Sequence, residues 1–197
     1  MATARRHGSK VGERVRLFVA LELPAEVRQT IVVWRSEALR EARGLRLIRS
    51  EDLHVTLCFL GWREAGEVGS ILEACTVAAA ARAAELGVER AMWLPPRRPR
   101  VLAVELCDAE GALTAVQSDL SRVLEAGRWY VPEKRPFLAH LTVARVARGA
   151  RIRRGDDLPQ PPALRFQGSR VTLYRSRLSR EGARYEPLGT VMLGSGL

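Results

Sequence analysis

The sequence predicts an α+β fold built on antiparallel sheets, and three observations lead to it. Segments typical of strands and helices follow one another without the regular alternation of a doubly wound parallel sheet. Two strands near the end, 164–179 and 183–193, flank the turn Arg-Glu-Gly and are expected to form a hairpin. A strand, a long helix and a strand with a His-x-Thr motif occur twice, which predicts two similar lobes around a central groove.

The first lobe begins with RVRLFVALELP (14–24), which is dense in Val, Leu and Phe and is closed by a proline. Residues 25–43 place apolar side chains at helical spacing and end at Gly44, a natural C-terminal stop. A short strand at 45–48 and a turn lead into the strand LHVTLCFLG at 53–61. The later predicted elements are an alanine-rich helix at 64–84, strands at 86–94 and 100–107, a helix at 108–127, a strand at 137–146 and an exposed loop at 147–162.

Length and composition indicate one domain. The 197 residues, 47% of them hydrophobic, are enough to bury one sizeable core or two small packed lobes. No run of eighteen apolar residues occurs, and the N-terminus lacks the apolar stretch of a secretory signal. We therefore expect a cytoplasmic protein, monomeric and not bound to membranes, with a flexible tail at 1–13 and a single domain of two similar lobes at 14–197.

Cysteine and charge content constrain the partners. The three cysteines include no Cys-x-x-Cys pair and lie in apolar surroundings, which favours reduced, buried thiols over disulfides or a zinc site. The net charge of +10 favours a polyanionic partner such as RNA. Nearly all of this charge is arginine, however, and a genome-wide composition bias would produce the same excess.

Two of the three histidines belong to the same short motif. Because side chains alternate along a strand, His54 and Thr56 share one face, and the apolar face is expected to carry Val55, Leu57 and Phe59. His140 and Thr142 repeat this pattern in AHLTVAR (139–145). A lone histidine on a strand is more often a core or surface residue than a catalyst. The occurrence of the whole His-x-Thr motif twice in a similar apolar setting instead favours a functional pair.

Two imidazoles that face one cleft suit displacement at phosphorus. An unperturbed imidazole titrates near about pH 6.5, so that one can act as a base and the other as an acid. The two threonine hydroxyls can donate hydrogen bonds to phosphate oxygens. Because no carboxylate cluster accompanies the histidines, the usual metal ligand set is incomplete and we expect no metal ion.

HVTL (54–57) and HLTV (140–143), with RLFVALELP near the start and GARYEPL near the end, resemble the 2H phosphoesterase superfamily. The branch they resemble is that of the RNA 2′,3′-cyclic phosphodiesterases, also called 2′-5′ RNA ligases, and the resemblance covers about residues 14–193. It implies a bilobal α+β fold and hydrolysis of an RNA or nucleotide 2′,3′-cyclic phosphate to a 2′-phosphomonoester, without metal or cofactor. It also implies that one histidine protonates the departing 3′ oxygen and the other activates water; we assign His54 as the acid and His140 as the base.

The resemblance implies two further site residues. Arg145 lies where the family places an arginine on the phosphate, but strand parity puts it on the face opposite His140, so that a bulge or the strand end must redirect it. Phe18 matches an aromatic residue beside the cleft that could stack on a base. The alternatives are a surface arginine and ordinary core packing. Ala139 and Leu47 depart from the family pattern, which bears on substrate preference.

Two other functions are compatible with the same residues. The chemistry could act on another substrate, such as a cyclic phosphate of ADP-ribose or a 2′-5′ linkage, including reverse 2′-5′ ligation. The groove could also belong to a basic RNA-binding module without catalysis. Salt-sensitive RNA binding would not separate these possibilities, whereas turnover of a cyclic phosphate would.

Overall fold

In a computed structural model, the structure describes residues 12–150, 158–179 and 182–194. These residues contain nine β-strands and three α-helices, together with three short 3-10 helices. In chain order, the strands and α-helices are β1 (Arg14–Glu22), α1 (Ala25–Ala38), β2 (Leu45–Leu47), β3 (His54–Glu64), α2 (Val68–Cys75), β4 (Ala84–Leu94), β5 (Val101–Cys107), α3 (Ala112–Ala126), β6 (His140–Val146), β7 (Arg165–Gly168), β8 (Arg170–Ser179) and β9 (Gly182–Met192).

The strands form a single antiparallel sheet in the order β7-β4-β5-β6-β3-β1-β8-β9, with β2 paired to β6. One residue pair, Val55 with Leu141, joins β3 to β6 in the middle of this order. The sheet therefore has two halves: the His54 half contains β1, β3, β8 and β9, and the His140 half contains β2, β4, β5, β6 and β7. The predicted α+β class is confirmed, and the two predicted lobes are halves of one continuous sheet.

The sheet is curled, and the chain passes directly from one edge of it to a strand near the other edge. Only one residue separates β7 from β8, yet β7 is one edge strand of the sheet and β8 lies next to the opposite edge strand, β9. The predicted strand 164–179 is thus two strands that pair with opposite halves. Gly168 permits this crossing, since a Cβ at that position would collide with the side chain of buried Leu21. The result is a half-barrel whose inner face is a groove.

Each long helix contacts the motif strand of the opposite half. Helix α3 packs against β3, and its apolar face, spaced by three and four residues as predicted, is fully buried at Leu113, Val116, Leu120 and Leu124. Each such leucine contributes about 2 kcal/mol of hydrophobic stabilisation. Helix α1 reaches β6 through the buried Arg35, whose Nη1 donates a hydrogen bond to the carbonyl of Val143 at 3.2 Å.

Several predicted boundaries differ from the structure. The helix predicted at 64–84 is an eight-residue α-helix between two 3-10 segments, because Gly66, Gly69 and the pair Thr76-Val77 weaken a continuous helix. Three predicted regions lie partly or wholly outside the described residues: the tail 1–11 with His7, residues 151–157 of the predicted loop, and residues 180–181 of the final turn.

Cys58 and Cys75 are buried free thiols as expected, and Cys107 is half-buried. None of the helices in the described ranges has the length and apolar character that a membrane span needs.

Candidate active site

The two His-x-Thr motifs meet at their central residues. Val55 and Leu141 are paired across β3 and β6, and both are fully buried. The residues on either side of each point to the opposite face of the sheet and are half-buried: His54, Thr56, His140 and Thr142. A single backbone contact therefore brings together the four side chains that the sequence singled out.

Each histidine is held in the same way by the backbone before it. His54 Nδ1–H donates to the carbonyl of Asp52 at 2.7 Å, and His140 Nδ1–H donates to the carbonyl of Leu138 at 2.8 Å. Because a carbonyl can only accept, the proton of the neutral ring lies on Nδ1 and Nε2 keeps its lone pair. Nε2 of His54 accepts a hydrogen bond from the Thr56 hydroxyl at 3.1 Å. Both rings can thus exchange a proton through Nε2.

Aromatic rings surround His54. The ring of Phe18 lies 4.9 Å and that of Tyr185 lies 5.2 Å from the imidazole centre. Burial lowers the pKa of His54 to about 4, and the hydrogen bond to Asp52 only partly opposes this shift. The guanidinium of Arg145, and to a smaller extent the electrostatic interaction with His140, lower the pKa of His54 further. His54 is therefore a neutral imidazole at pH 7.

Both motif strands carry a bulge at the fourth motif residue. The pairing of β3 with β1 skips Leu57, and the pairing of β6 with β5 skips Val143. An extra residue in one strand reverses the alternation of faces beyond it. The carbonyl of Val143 is fixed by Arg35 and by the backbone N–H of Ile48 at 3.0 Å. This bulge is the redirection that the sequence required for the arginine two residues later.

The bulges decide where the following side chains lie. Arg145 turns to the groove face, is exposed, and acts electrostatically on His54. Phe59 was predicted on the buried face, which is wrong: it is 47% exposed and Cys58 is buried instead, because the bulge shifts the register by one residue. Arg16 places its guanidinium over the Phe59 ring, 4.6 Å from the centroid.

Phe18, predicted to stack on a base, lies against His54 and is only 3% exposed. It stacks on Tyr174 at 5.2 Å and meets the edge of Tyr185 at 4.8 Å, in addition to its contact with His54. In this position Phe18 supports the imidazole, and its faces are covered. The half-buried aromatic ring that reaches the neighbouring pocket is Tyr185, which the sequence analysis quoted within GARYEPL without assigning it a role.

Two carboxylates that the sequence analysis missed lie opposite the histidines. Glu22 is paired with His54 and Glu105 with His140. Burial acts to raise the pKa of Glu22, but hydrogen bonds, chiefly from Thr172, outweigh it and the pKa is lowered. The sequence already contained a signal for these two glutamates, the second repeat ALEL (20–23) and AVEL (103–106).

Among the described residues, no three His, Cys, Asp or Glu side chains lie together as a metal ligand set.

Comparison with known proteins shows the family of this chain. A family model described as LigT-like phosphoesterase matches residues 21–103, which include the first motif. The RNA 2′,3′-cyclic phosphodiesterase of Escherichia coli strain K12 is 29% identical over 192 residues, which cover 90% of this chain and 96% of that protein. The crystal structure of E. coli LigT complexed with ATP is 30% identical, with a TM-score of 0.70, and the match covers 92% of this chain and 99% of that chain.

A further E. coli LigT structure, complexed with 3′-AMP, is 29% identical with a TM-score of 0.74 over the same shares of the two chains, 92% and 99%. At 92% coverage of this chain, the two structural likenesses extend over both halves of the sheet. The chain therefore belongs to the LigT-like phosphoesterase family, the enzyme family that its two His-x-Thr motifs predict.

Proposed function

We propose that this chain hydrolyses the 2′,3′-cyclic phosphate of RNA or of a nucleotide to a 2′-phosphomonoester, with His54 and His140 as a metal-independent acid–base pair. One observation carries the proposal: the motifs meet at Val55 and Leu141, with both imidazoles on the groove face and Nδ1 of each held by a carbonyl. The name of the E. coli relative and the 3′-AMP complex of LigT support a nucleotide substrate.

In the proposed reaction the cyclic phosphate lies between the two histidines. Once Nε2 of His54 carries a proton, the Thr56 hydroxyl no longer donates to it. This hydroxyl and that of Thr142 then donate to non-bridging phosphate oxygens, and the guanidinium of Arg145 balances the phosphate charge. His140 Nε2 takes a proton from water as the water oxygen bonds to phosphorus. The bond from phosphorus to the 3′ oxygen breaks, and His54 gives its Nε2 proton to that oxygen. The products are a 2′-phosphomonoester and a 3′-hydroxyl.

The role of acid requires His54 to gain a proton. Its pKa of about 4 leaves the free protein neutral at this position. An anionic phosphate beside the ring favours the charged imidazolium, so substrate binding raises this pKa and brings the proton into the complex. His54 is therefore neutral in the free protein and protonated in the substrate complex, where it acts as the acid.

The experiment is incubation of the purified protein with the four nucleoside 2′,3′-cyclic monophosphates and a short RNA that ends in one. The products are assigned by 31P NMR. We expect 2′-phosphomonoesters, with undiminished rates in excess chelator. A 3′-phosphate product would overturn the leaving-group assignment, and loss of activity with chelator would overturn metal independence. Binding without turnover would favour the RNA-binding module instead.

A further inference from the structure

A second pocket adjoins the groove beside His54. Its wall is formed by β2 and β6 of one half and by β9 of the other, and its polar lining consists mainly of four exposed arginines, Arg46, Arg49, Arg145 and Arg184. Among the lining residues that the structure describes, Asp52 is the one acidic side chain. Its carboxylate accepts a hydrogen bond from Arg49 Nε at 2.7 Å. Arg49 Nη1 also lies 3.2 Å from Glu51 Oε1, so that two carboxylates engage this arginine. The described lining still carries more arginines than carboxylates.

This pocket is continuous with the proposed catalytic groove. Arg145 lines the pocket and also lowers the pKa of His54. Tyr185 lines the pocket and contacts the His54 ring at 5.2 Å. A substrate group attached next to the reacting phosphate would thus enter the pocket directly.

Three of these arginines are positioned by the strands that carry them. Arg46 is paired with Arg145 across β2 and β6, so that both side chains leave the sheet on the same side. The guanidinium of Arg46 lies against the backbone of Gly182, where a Cβ would collide with it and where φ is +130°. Arg184 follows two residues later in β9. Opposite walls of the pocket therefore present planar, always charged donors of the kind that binds phosphate.

We infer that this pocket is a subsite for a second phosphate, the one on the 5′ side of the terminal nucleotide. The inference rests on the proposed function and specifies its substrate class. A nucleoside 2′,3′-cyclic monophosphate has no such phosphate and leaves the pocket unused. A 5′-phosphorylated nucleotide or a longer RNA with the same cyclic end fills it. The enzyme is therefore selective for RNA ends over single nucleosides.

The test compares kcat/KM for uridine 2′,3′-cyclic phosphate, its 5′-phosphorylated form, and a diuridine that ends in the cyclic phosphate. Charge-assisted hydrogen bonds to the added phosphate predict a preference of roughly tenfold to a hundredfold for the second and third substrates. The preference should shrink as salt rises. Because the 5′-phosphorylated form adds no second base, stacking cannot produce its advantage. Equal values for all three substrates would overturn the subsite.

Arginine variants test whether this pocket causes the preference for substrates with a second phosphate. In the double variant Arg46→Gln/Arg184→Gln the preference should fall toward one, and Arg46→Lys/Arg184→Lys should retain part of it. The matched control Arg122→Gln/Arg165→Gln removes the same charge from exposed ion pairs elsewhere and should keep the full preference. A preference that survives the first double variant would overturn the subsite, and its loss in Phe59→Ala/Trp62→Ala would move recognition to the exposed aromatics of β3. If none of the three substrates is hydrolysed, the proposed function itself fails.

Discussion

The two halves of the sheet share a backbone plan and differ in what surrounds each histidine. In both, a glutamate lies opposite the histidine, an alanine lies opposite the threonine, and the fourth motif residue bulges. In both, Nδ1 donates to the carbonyl two residues earlier. Beyond these points the side chains diverge, which indicates that a duplicated frame can hold two imidazoles with different tasks.

The difference is one of burial and charge. Phe18 in β1 occupies the place that Val101 has in β5, and it helps to cover His54. After the bulge the His54 half carries Phe59, whereas the His140 half carries Arg145 at the matching position. One histidine is therefore packed among aromatic rings and has a lowered pKa. The other half supplies the positive charge.

The largest expected effect comes from removing either histidine. His54→Ala and His140→Ala should each lower turnover of a nucleoside 2′,3′-cyclic phosphate by roughly a hundredfold or more, because each loses an acid or a base. A substrate with sulfur at the 3′ position separates the two roles, since a thiolate leaves without a proton. On that substrate His54→Ala should recover most of its activity and His140→Ala should not.

The opposite pattern would exchange the two roles. Near-normal turnover of the oxygen substrate by both variants would refute paired-histidine catalysis.

The next largest effect concerns the residue after each bulge. Arg145→Gln should lower kcat/KM roughly tenfold to a hundredfold, since a charge-assisted contact to the phosphate is lost. The matched change in the other half, Phe59→Leu, should alter it less than about threefold. Measured kinetics of the pair therefore show whether the halves differ in function at this position. Equal losses in both variants would argue that the position matters only for the bulge geometry.

The smallest effect concerns the cover of His54. Tyr185→Ser opens the ring to water and should raise the pKa of His54 from about 4 toward its ordinary value, because burial is the main cause of the shift. NMR titration of the His54 ring proton measures this. Tyr185→Phe keeps the ring contact and should leave the pKa unchanged. A pKa that stays low in Tyr185→Ser would assign the shift to Arg145 and His140 instead.

The same pKa has a consequence for stability. The pKa of His54 is lower in the folded protein than in the unfolded chain, where it is about 6.5. The free energy of unfolding is therefore highest above about pH 6.5 and decreases as the pH falls toward 4, because the unfolded chain binds the proton first. Chemical denaturation at several pH values should show this decline in the free energy of unfolding. The decline should be smaller in Tyr185→Ser, where the ring titrates closer to its unfolded value.

The amino-acid sequence by itself determined the fold class, most strand positions and the four motif residues. These depend on local regularities: alternation within a strand, apolar spacing within α3, and the duplication of His-x-Thr. Strand parity even indicated that a bulge or the strand end must redirect Arg145. The second repeat, ALEL and AVEL, could also have been found in the sequence, because, like His-x-Thr, it is a short strand motif that occurs twice.

Only the tertiary structure decided which residues meet. The pairing of Val55 with Leu141, the curl that brings Tyr185 of β9 onto His54 of β3, and the bulge that exposes Phe59 all join or displace parts of the chain through nonlocal contacts. Burial and electrostatics depend on those contacts, and so do the low pKa of His54 and the arginine pocket. Sequence periodicity specifies which face a side chain takes, whereas the neighbours on that face come from packing between distant segments.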